Sequence, residues 1–178
     1  MNKQIKWMVF AVMALVQLAV PGYLVLRHED TFATGKIHRF ETAPVDPYDP
    51  FSGRYVTLNL KTGRSVAGTG TFRRGEQVFA VLQINPQGFS EIVSVQRNPP
   101  LGKDYFTTTV GAYGQLEIPF TRFYMEESLA PRAEEAYRKM SRVGNKSCWI
   151  EVKIKNGRSM LTNLYLDEQP VHEYLKKH

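Results

Sequence analysis

The sequence predicts a mostly β (α+β) fold, with a single N-terminal transmembrane helix followed by a small β-roll or open barrel with one inserted helix. Trp7 to Leu26 is a run of 20 residues without a charged side chain. Later segments alternate apolar and polar residues between turn signals, and one later segment has helical spacing. The domain organisation follows as a short basic segment 1–6, an anchor 7–26, a linker 27–35 and a β-rich domain 36–178.

The first element is the anchor. As a helix, its 20 residues would be about 30 Å long, the thickness of a bilayer's hydrocarbon core. Lys3 and Lys6 precede the anchor, and Trp7 and Tyr23 lie near its ends, where amphipathic rings favour the membrane interface. A cleaved signal peptide is the alternative, but it usually has a shorter apolar region and a small-residue cleavage site. We favour an uncleaved signal anchor.

The positive charges on the two sides of the anchor are nearly balanced, so their count alone does not predict its orientation. Lys3 and Lys6 stand before the anchor, and Arg27, Lys36 and Arg39 follow it. A short basic N-terminus is typical of an exported protein. We therefore expect a single-pass protein of the inner cell membrane, with the β-rich domain in the envelope on the extracytoplasmic side.

The strands of the domain are predicted from period-two alternation. Asn85 to Gly88 and Asn156-Gly157 carry strong hairpin signals, and Pro119 suggests an edge strand or a bulge. His38 falls within the first strand, where we expect a surface or pairing residue rather than a metal ligand. The predicted strands are 36–42, 54–60, 77–84, 89–96, 105–111, 115–125, 147–155 and 158–166.

The inserted helix is predicted over 126–144. Ser128 is a candidate N-cap, Pro131 suits the first turn and Gly144 suits the stop. Glu135 and Lys139 are four residues apart, which supports an exposed helix face.

The composition restricts the class of function. A net charge of +6 over 178 residues, with acidic and basic side chains interspersed, does not predict a nucleic-acid partner. Cys148 is the single cysteine, so an intrachain disulfide is excluded. Its apolar neighbours favour a core position.

The stretch 46–60 organises the domain. Pro47 and Pro50 push Asp46 and Asp49 towards extended conformations, and Gly53 allows a tight turn. Two carboxylates brought together could perform acid–base chemistry or bind a divalent ion, but local turn formation is the favoured role.

The same stretch resembles the GDYXXLXY proteins, a family of membrane-anchored bacterial proteins to which no function is assigned. Their Thr-x-Pro-Val-Asp-Pro-x-Asp lead-in matches Thr42 to Asp49. Arg54 and Leu60 depart from the family's Asp and Tyr. The resemblance implies a partner, because such proteins tend to be encoded beside a multi-spanning membrane protein. The residues that carry the name motif are Gly53, Arg54, Tyr55, Leu58 and Leu60.

Two hypotheses follow for function. The first is a non-enzymatic accessory subunit that binds a multi-spanning membrane protein. The second is a membrane-anchored hydrolase or small-ligand-binding domain that uses Asp46, Asp49 and Glu126 or Glu127. We predict no catalytic residue, metal site or cofactor. The predicted interaction residues are Asp46, Pro47, Asp49, Gly53, Arg54, Tyr55, Leu58, Leu60, Glu126 and Glu127.

Overall fold

A computed structural model describes residues 3–43, 55–61, 72–142 and 148–177. Three helices and eleven strands lie within these ranges, with a 3₁₀ turn at Ala112–Gly114. The helices are α1 (Lys3–Thr34), α2 (Ala130–Arg142) and α3 (Val171–Lys177). The strands are β1 (Lys36–Ala43), β2 (Tyr55–Thr57), β3 (Asn59–Leu60), β4 (Gln77–Ile84), β5 (Ser90–Gln96), β6 (Tyr105–Val110), β7 (Leu116–Glu117), β8 (Arg122–Tyr124), β9 (Cys148–Lys155), β10 (Arg158–Leu166) and β11 (Gln169–Pro170).

Helix α1 contains the predicted anchor and continues beyond it. It runs unbroken through residues 27–34, which the sequence analysis interprets as a linker, so most of that segment is helical. The helix ends at Gly35, whose N–H donates to the Thr31 carbonyl oxygen at 2.9 Å. A Cβ at this position would lie 2.4 Å from that oxygen, so the close approach requires glycine.

The first sheet has five antiparallel strands in the order β11-β10-β9-β1-β3. Alternate residues of β9 are buried, as period-two burial of one face requires. Cys148 opens this buried row, which confirms its predicted core position. The turn between β9 and β10 has φ values of 49° at Asn156 and 78° at Gly157. Two positive values are typical of a type I′ hairpin turn, as predicted.

The second sheet has four antiparallel strands in the order β5-β4-β6-β7. The predicted hairpin between β4 and β5 is present, and the Asn85 side chain accepts hydrogen bonds from the N–H groups of Gln87 and Phe89. The tip of the β9–β10 hairpin meets this sheet, where the Thr107 N–H donates to the Gly157 carbonyl at 2.7 Å. The two sheets are therefore joined by a backbone contact at that turn.

One hydrophobic core lies between these layers. Phe120 packs against Phe40 of the first sheet and Phe106 of the second, at ring-centroid distances of 5.0 and 5.1 Å. Helix α2 covers the core with Tyr137, whose hydroxyl donates to the Ala43 carbonyl at 3.0 Å. The mostly β domain behind an N-terminal apolar helix is thus confirmed.

Several local predictions need correction. The predicted strand 54–60 is divided between β2 and β3, and the predicted strand 115–125 is interrupted around Pro119. Helix α2 begins at Ala130 and is followed by a second helix of the domain, α3, which the sequence analysis misses. Of the two positions expected for His38, surface or pairing, the surface position is wrong, because the side chain is fully buried and hydrogen-bonds to Ser90.

Candidate functional site

The described part of the motif strand serves the core. Val56, Leu58 and Leu60 are buried on one face, as the alternation predicts. The segment changes partner in its middle, because β2 pairs with β8 whereas β3 pairs with β1. At the change, the Leu58 N–H donates to the Thr121 carbonyl at 2.8 Å. Leu58 and Leu60 are therefore structural, and Tyr55 alone of the described motif residues has a partly exposed side chain.

The other predicted site residues of the motif lie outside the described residues. These are Asp46, Pro47, Asp49, Gly53 and Arg54. The convergence of Asp46 and Asp49 with Glu126 or Glu127 therefore stays a prediction.

The β2–β8 ribbon exposes a cluster of aromatic and basic side chains. Tyr55 lies opposite Tyr124 in the register, and their ring centroids are 5.6 Å apart. The Arg122 guanidinium lies 5.0 Å from the Tyr55 ring centroid. Tyr124 is 66% exposed. We call Tyr55, Arg122 and Tyr124 the tyrosine patch. Its neighbours on the ribbon, Val56 and Phe123, are buried in the core.

Glu126 and Glu127 follow this ribbon, and both are exposed. The Ser128 hydroxyl donates to Glu126 Oε1 at 2.7 Å, and the Glu126 carbonyl accepts from the N–H groups of Leu129 and Ala130 at 3.0 Å. Glu126 thus takes part in the turn that leads into α2. Ser128 contacts this carboxylate and lies two residues before the helix begins.

A set of charged contacts, which the sequence analysis does not predict, ties α1 to the domain. The Lys155 ammonium lies 2.5 Å from Asp30 Oδ1 and 2.6 Å from the Thr34 hydroxyl, and Arg158 Nη2 lies 3.5 Å from Asp30 Oδ2. The hydrogen bond from Lys155 lowers the pKa of Asp30. We call Asp30, Thr34, Lys155 and Arg158 the anchor joint. On the same surface, Lys153 donates to the Phe32 carbonyl at 2.6 Å.

Beside the anchor joint is a groove of about 280 Å³ between α1 and the domain. One face of α1 lines it with Leu24, Arg27 and His28, and β10 lines it with Arg158 and Met160. We call this the anchor groove. The sequence only weakly indicates this groove, because Arg27 and His28 are also what is expected of the polar residues that follow a membrane anchor.

A buried serine and a buried histidine also meet in the domain, beside the partly exposed Asp104. His38 Nδ1 and the Ser90 hydroxyl share a hydrogen bond of 2.8 Å, and His38 Nε2 lies 3.7 Å from Asp104 Oδ2. Burial lowers the pKa of His38, although the Asp104 charge opposes that shift and Lys36 adds to it. Nucleophilic catalysis uses these residue types, but Ser90 is only 2% exposed, so a substrate could not reach it. The His38–Ser90 pair is therefore a buried polar contact between β1 and β5.

Within the described residues, no group of three histidine, cysteine or acidic side chains is arranged to hold a metal ion. Helix α1 is the one described helix that is long and apolar enough to cross a membrane, and its most apolar stretch is not covered by the domain. It is therefore a candidate single-pass membrane anchor.

Comparison with known proteins gives one match. A family model described as GDYXXLXY protein matches residues 17–164, from the middle of α1 to β10. No curated protein and no solved structure matches. The matched residues include the tyrosine patch, the anchor joint and the anchor groove. Because the match covers most of the chain, this protein belongs to the GDYXXLXY protein family.

Proposed function

We propose that the protein is a non-enzymatic accessory subunit of the cell membrane that binds a multi-spanning membrane protein through the tyrosine patch. The domain would stand in the envelope, on the extracytoplasmic side of the inner membrane, with α1 as a signal anchor. The observation that supports the proposal is the exposure of Tyr124 beside Arg122 on a ribbon whose other face is core.

The tyrosine patch has the composition of a protein-binding surface. Tyrosine and arginine are enriched in the energetic centres of interfaces, because they bury a large area and can still donate hydrogen bonds. The ribbon beneath the patch is held firmly, since Phe123 is buried and its ring lies 6.1 Å from that of His172 in α3. A rigid patch loses little conformational freedom when it binds.

The anchor supports the same proposal. The outer faces of the apolar stretch 7–26 are uncovered, so they are available to lipid or to helices of a membrane partner. The anchor joint connects α1 directly to β9 and β10, so a membrane-inserted α1 would hold the tyrosine patch in a defined orientation.

Co-purification tests this function. We would extract the full-length protein in a mild detergent from its native membrane and compare wild type with Tyr124→Ala by quantitative mass spectrometry. Loss of an interface tyrosine should lower the recovery of one stoichiometric multi-spanning partner about tenfold. Tyr113→Ala is the matched control, because Tyr113 is fully exposed and lies in the 3₁₀ turn, away from the ribbon. Equal recovery with both variants would contradict the proposal.

The orientation is tested separately by a C-terminal alkaline phosphatase fusion. Lys3 and Lys6 before the apolar stretch favour an N-terminus in the cytoplasm, so the fusion should be active. An inactive fusion, together with a fluorescent green fluorescent protein fusion, would place the domain in the cytoplasm instead.

The second hypothesis, a hydrolase or a small-ligand-binding domain, gains no support from the described geometry. Its carboxylates at Asp46 and Asp49 lie outside the described residues. Glu126 is exposed and participates in the turn before α2. We therefore keep the accessory-subunit proposal as the conclusion.

A further inference from the structure

We propose that the anchor groove binds the phosphate group of an anionic membrane phospholipid. Arg27 and Arg158 would contact the phosphate, and Leu24 and Met160 would contact the apolar part of the same lipid. The proposal depends on α1 crossing a membrane. It does not depend on a protein partner, so it can be tested on the purified chain.

The groove lies at the depth of the lipid headgroups. The charge-free stretch of α1 ends at Leu26, and the groove extends along the helix from Leu24 to Thr31. These seven helical steps cover about 10 Å, which begins at the edge of the hydrocarbon core and matches the headgroup layer of roughly 5–8 Å. A ligand at this level would enter from the bilayer rather than from bulk water.

The charge of the groove favours an anion. Its lining includes the positively charged side chains of Arg27 and Arg158, and no carboxylate is among the described lining residues. The Arg27 guanidinium lies 5.0 Å from the Tyr23 ring centroid and has no carboxylate partner among the described residues. Arginine suits phosphate because its planar guanidinium can donate two parallel hydrogen bonds to the oxygens.

Arg158 provides the second half of the anion site. Its Nη2 lies 3.5 Å from Asp30, whereas its Nη1 is buried and has no hydrogen-bond partner among the described residues. A buried N–H of a charged group without an acceptor is costly, so Arg158 keeps hydrogen-bonding capacity that its contacts with the described residues leave unused. Asp30 competes weakly for Arg158, because Lys155 is closer to that carboxylate at 2.5 Å.

The remaining lining selects a lipid over a fully hydrated anion. Leu24, Pro119 and Met160 form an apolar wall next to the arginines. The volume of about 280 Å³ is near the lower limit for small-molecule sites, which fits a headgroup rather than a whole phospholipid. The acyl chains would then continue along the exposed surface of α1 into the bilayer. His28 donates through Nδ1 to the Leu24 carbonyl at 2.8 Å, so Nε2 of the neutral ring can accept a hydrogen bond from a headgroup hydroxyl.

The test is native mass spectrometry of the full-length protein, first stripped of lipid in detergent and then titrated with phosphatidylglycerol or phosphatidylcholine. We expect phosphatidylglycerol to bind about tenfold more tightly, because its headgroup lacks the cation that neutralises the phosphate of phosphatidylcholine. Arg27→Gln and Arg158→Gln should each reduce that preference severalfold. Equal binding of both lipids, or an unchanged preference in both variants, would overturn the proposal.

Arg39→Gln is the matched control. Arg39 is also exposed and lies 5.0 Å over an aromatic ring, that of Trp149, but it is remote from the groove. This variant should retain the wild-type preference, and an equal loss in Arg39→Gln would show that the effect comes from total charge. Arg27→Gln distinguishes lost binding from misfolding, because Arg27 has no ion pair with the domain among the described residues and its guanidinium lies over the Tyr23 ring of its own helix. In a final competition experiment, millimolar inorganic phosphate is added to the lipid-bound protein. Displacement of the lipid by phosphate would show that the groove is a site for free phosphate instead.

Discussion

Replacement of Gly157 by alanine should destabilise the domain strongly. The alanine would have an unfavourable backbone conformation, and its Cβ would also clash with neighbouring side chains. Gly157 has φ of 78°, and an L-residue with a Cβ in this region costs about 1–2 kcal/mol. A Cβ there would also lie 2.6 Å from Thr107 Oγ1 and 2.8 Å from Tyr105 Cε2. Contacts this short require the Thr107 and Tyr105 side chains to shift, at a further cost of about 1–3 kcal/mol.

A comparison with Gly88→Ala isolates the cost of the short contacts, because that variant has the backbone cost alone. Gly88 has φ of 86° in the other hairpin, and nothing lies within 4 Å of a Cβ built there. Both alanines also reduce the conformational entropy of the unfolded chain, which stabilises the folded state by about 0.4–1 kcal/mol. This stabilisation is the same in both variants, so it cancels in the comparison. We therefore expect Gly157→Ala to cost about 1–3 kcal/mol more free energy of unfolding than Gly88→Ala.

The assay is urea unfolding of the full-length protein in detergent, followed by the fluorescence of Trp149. The Trp149 ring is stacked on Tyr165 at 3.8 Å, and a Trp7→Phe background removes the other tryptophan. Thr107→Ala should recover part of the loss in Gly157→Ala, because it removes the nearest clashing atom. Equal destabilisation by Gly157→Ala and Gly88→Ala would refute the close contact between the hairpin tip and the second sheet.

Two further predictions use the same unfolding assay. Leu58→Ala should lower the free energy of unfolding by about 2–5 kcal/mol, because Leu58 is fully buried. Leu101→Ala is the control and should lower it by less than about 0.5 kcal/mol, because Leu101 is 97% exposed. Similar losses of stability in the two variants would contradict the core position of the motif strand. Burial lowers the pKa of His38, so below about pH 6.5 the unfolded state binds more protons than the folded state. Stability should therefore be constant above about pH 7.5 and fall as the pH drops through 6.5 towards the folded-state pKa of His38, and a slope unchanged in His38→Gln would refute this origin.

The motif strand shows which features of the fold can be predicted from the sequence. Period-two alternation correctly predicts that Val56, Leu58 and Leu60 share a buried face. It does not predict that β2 and β3 pair with different strands, because pairing depends on partners far away in the chain. The same limit applies to His38, whose burial depends on Ser90, 52 residues later.

The end of α1 shows a second limit. The polar residues after Leu26 predict a linker, because the apolar pattern of the anchor stops there. The helix nevertheless continues to Thr34, where Lys155 contacts both Asp30 and Thr34. These contacts join residues more than 120 positions apart, so a local pattern cannot reveal them. A local sequence pattern therefore does not predict the anchor joint or the anchor groove.

The β9–β10 turn links these observations. Lys155 and Arg158, on its two sides, contact Asp30 of α1, and Gly157 at its tip contacts Thr107 of the second sheet. The turn therefore contacts α1 and both sheets within four residues. Because α1 is tied to this turn, a lipid that engages Arg158 would act where the anchor, the first sheet and the second sheet meet. A charge change at Arg158 should consequently affect lipid binding and domain stability together, whereas a change at Arg27 should affect lipid binding alone.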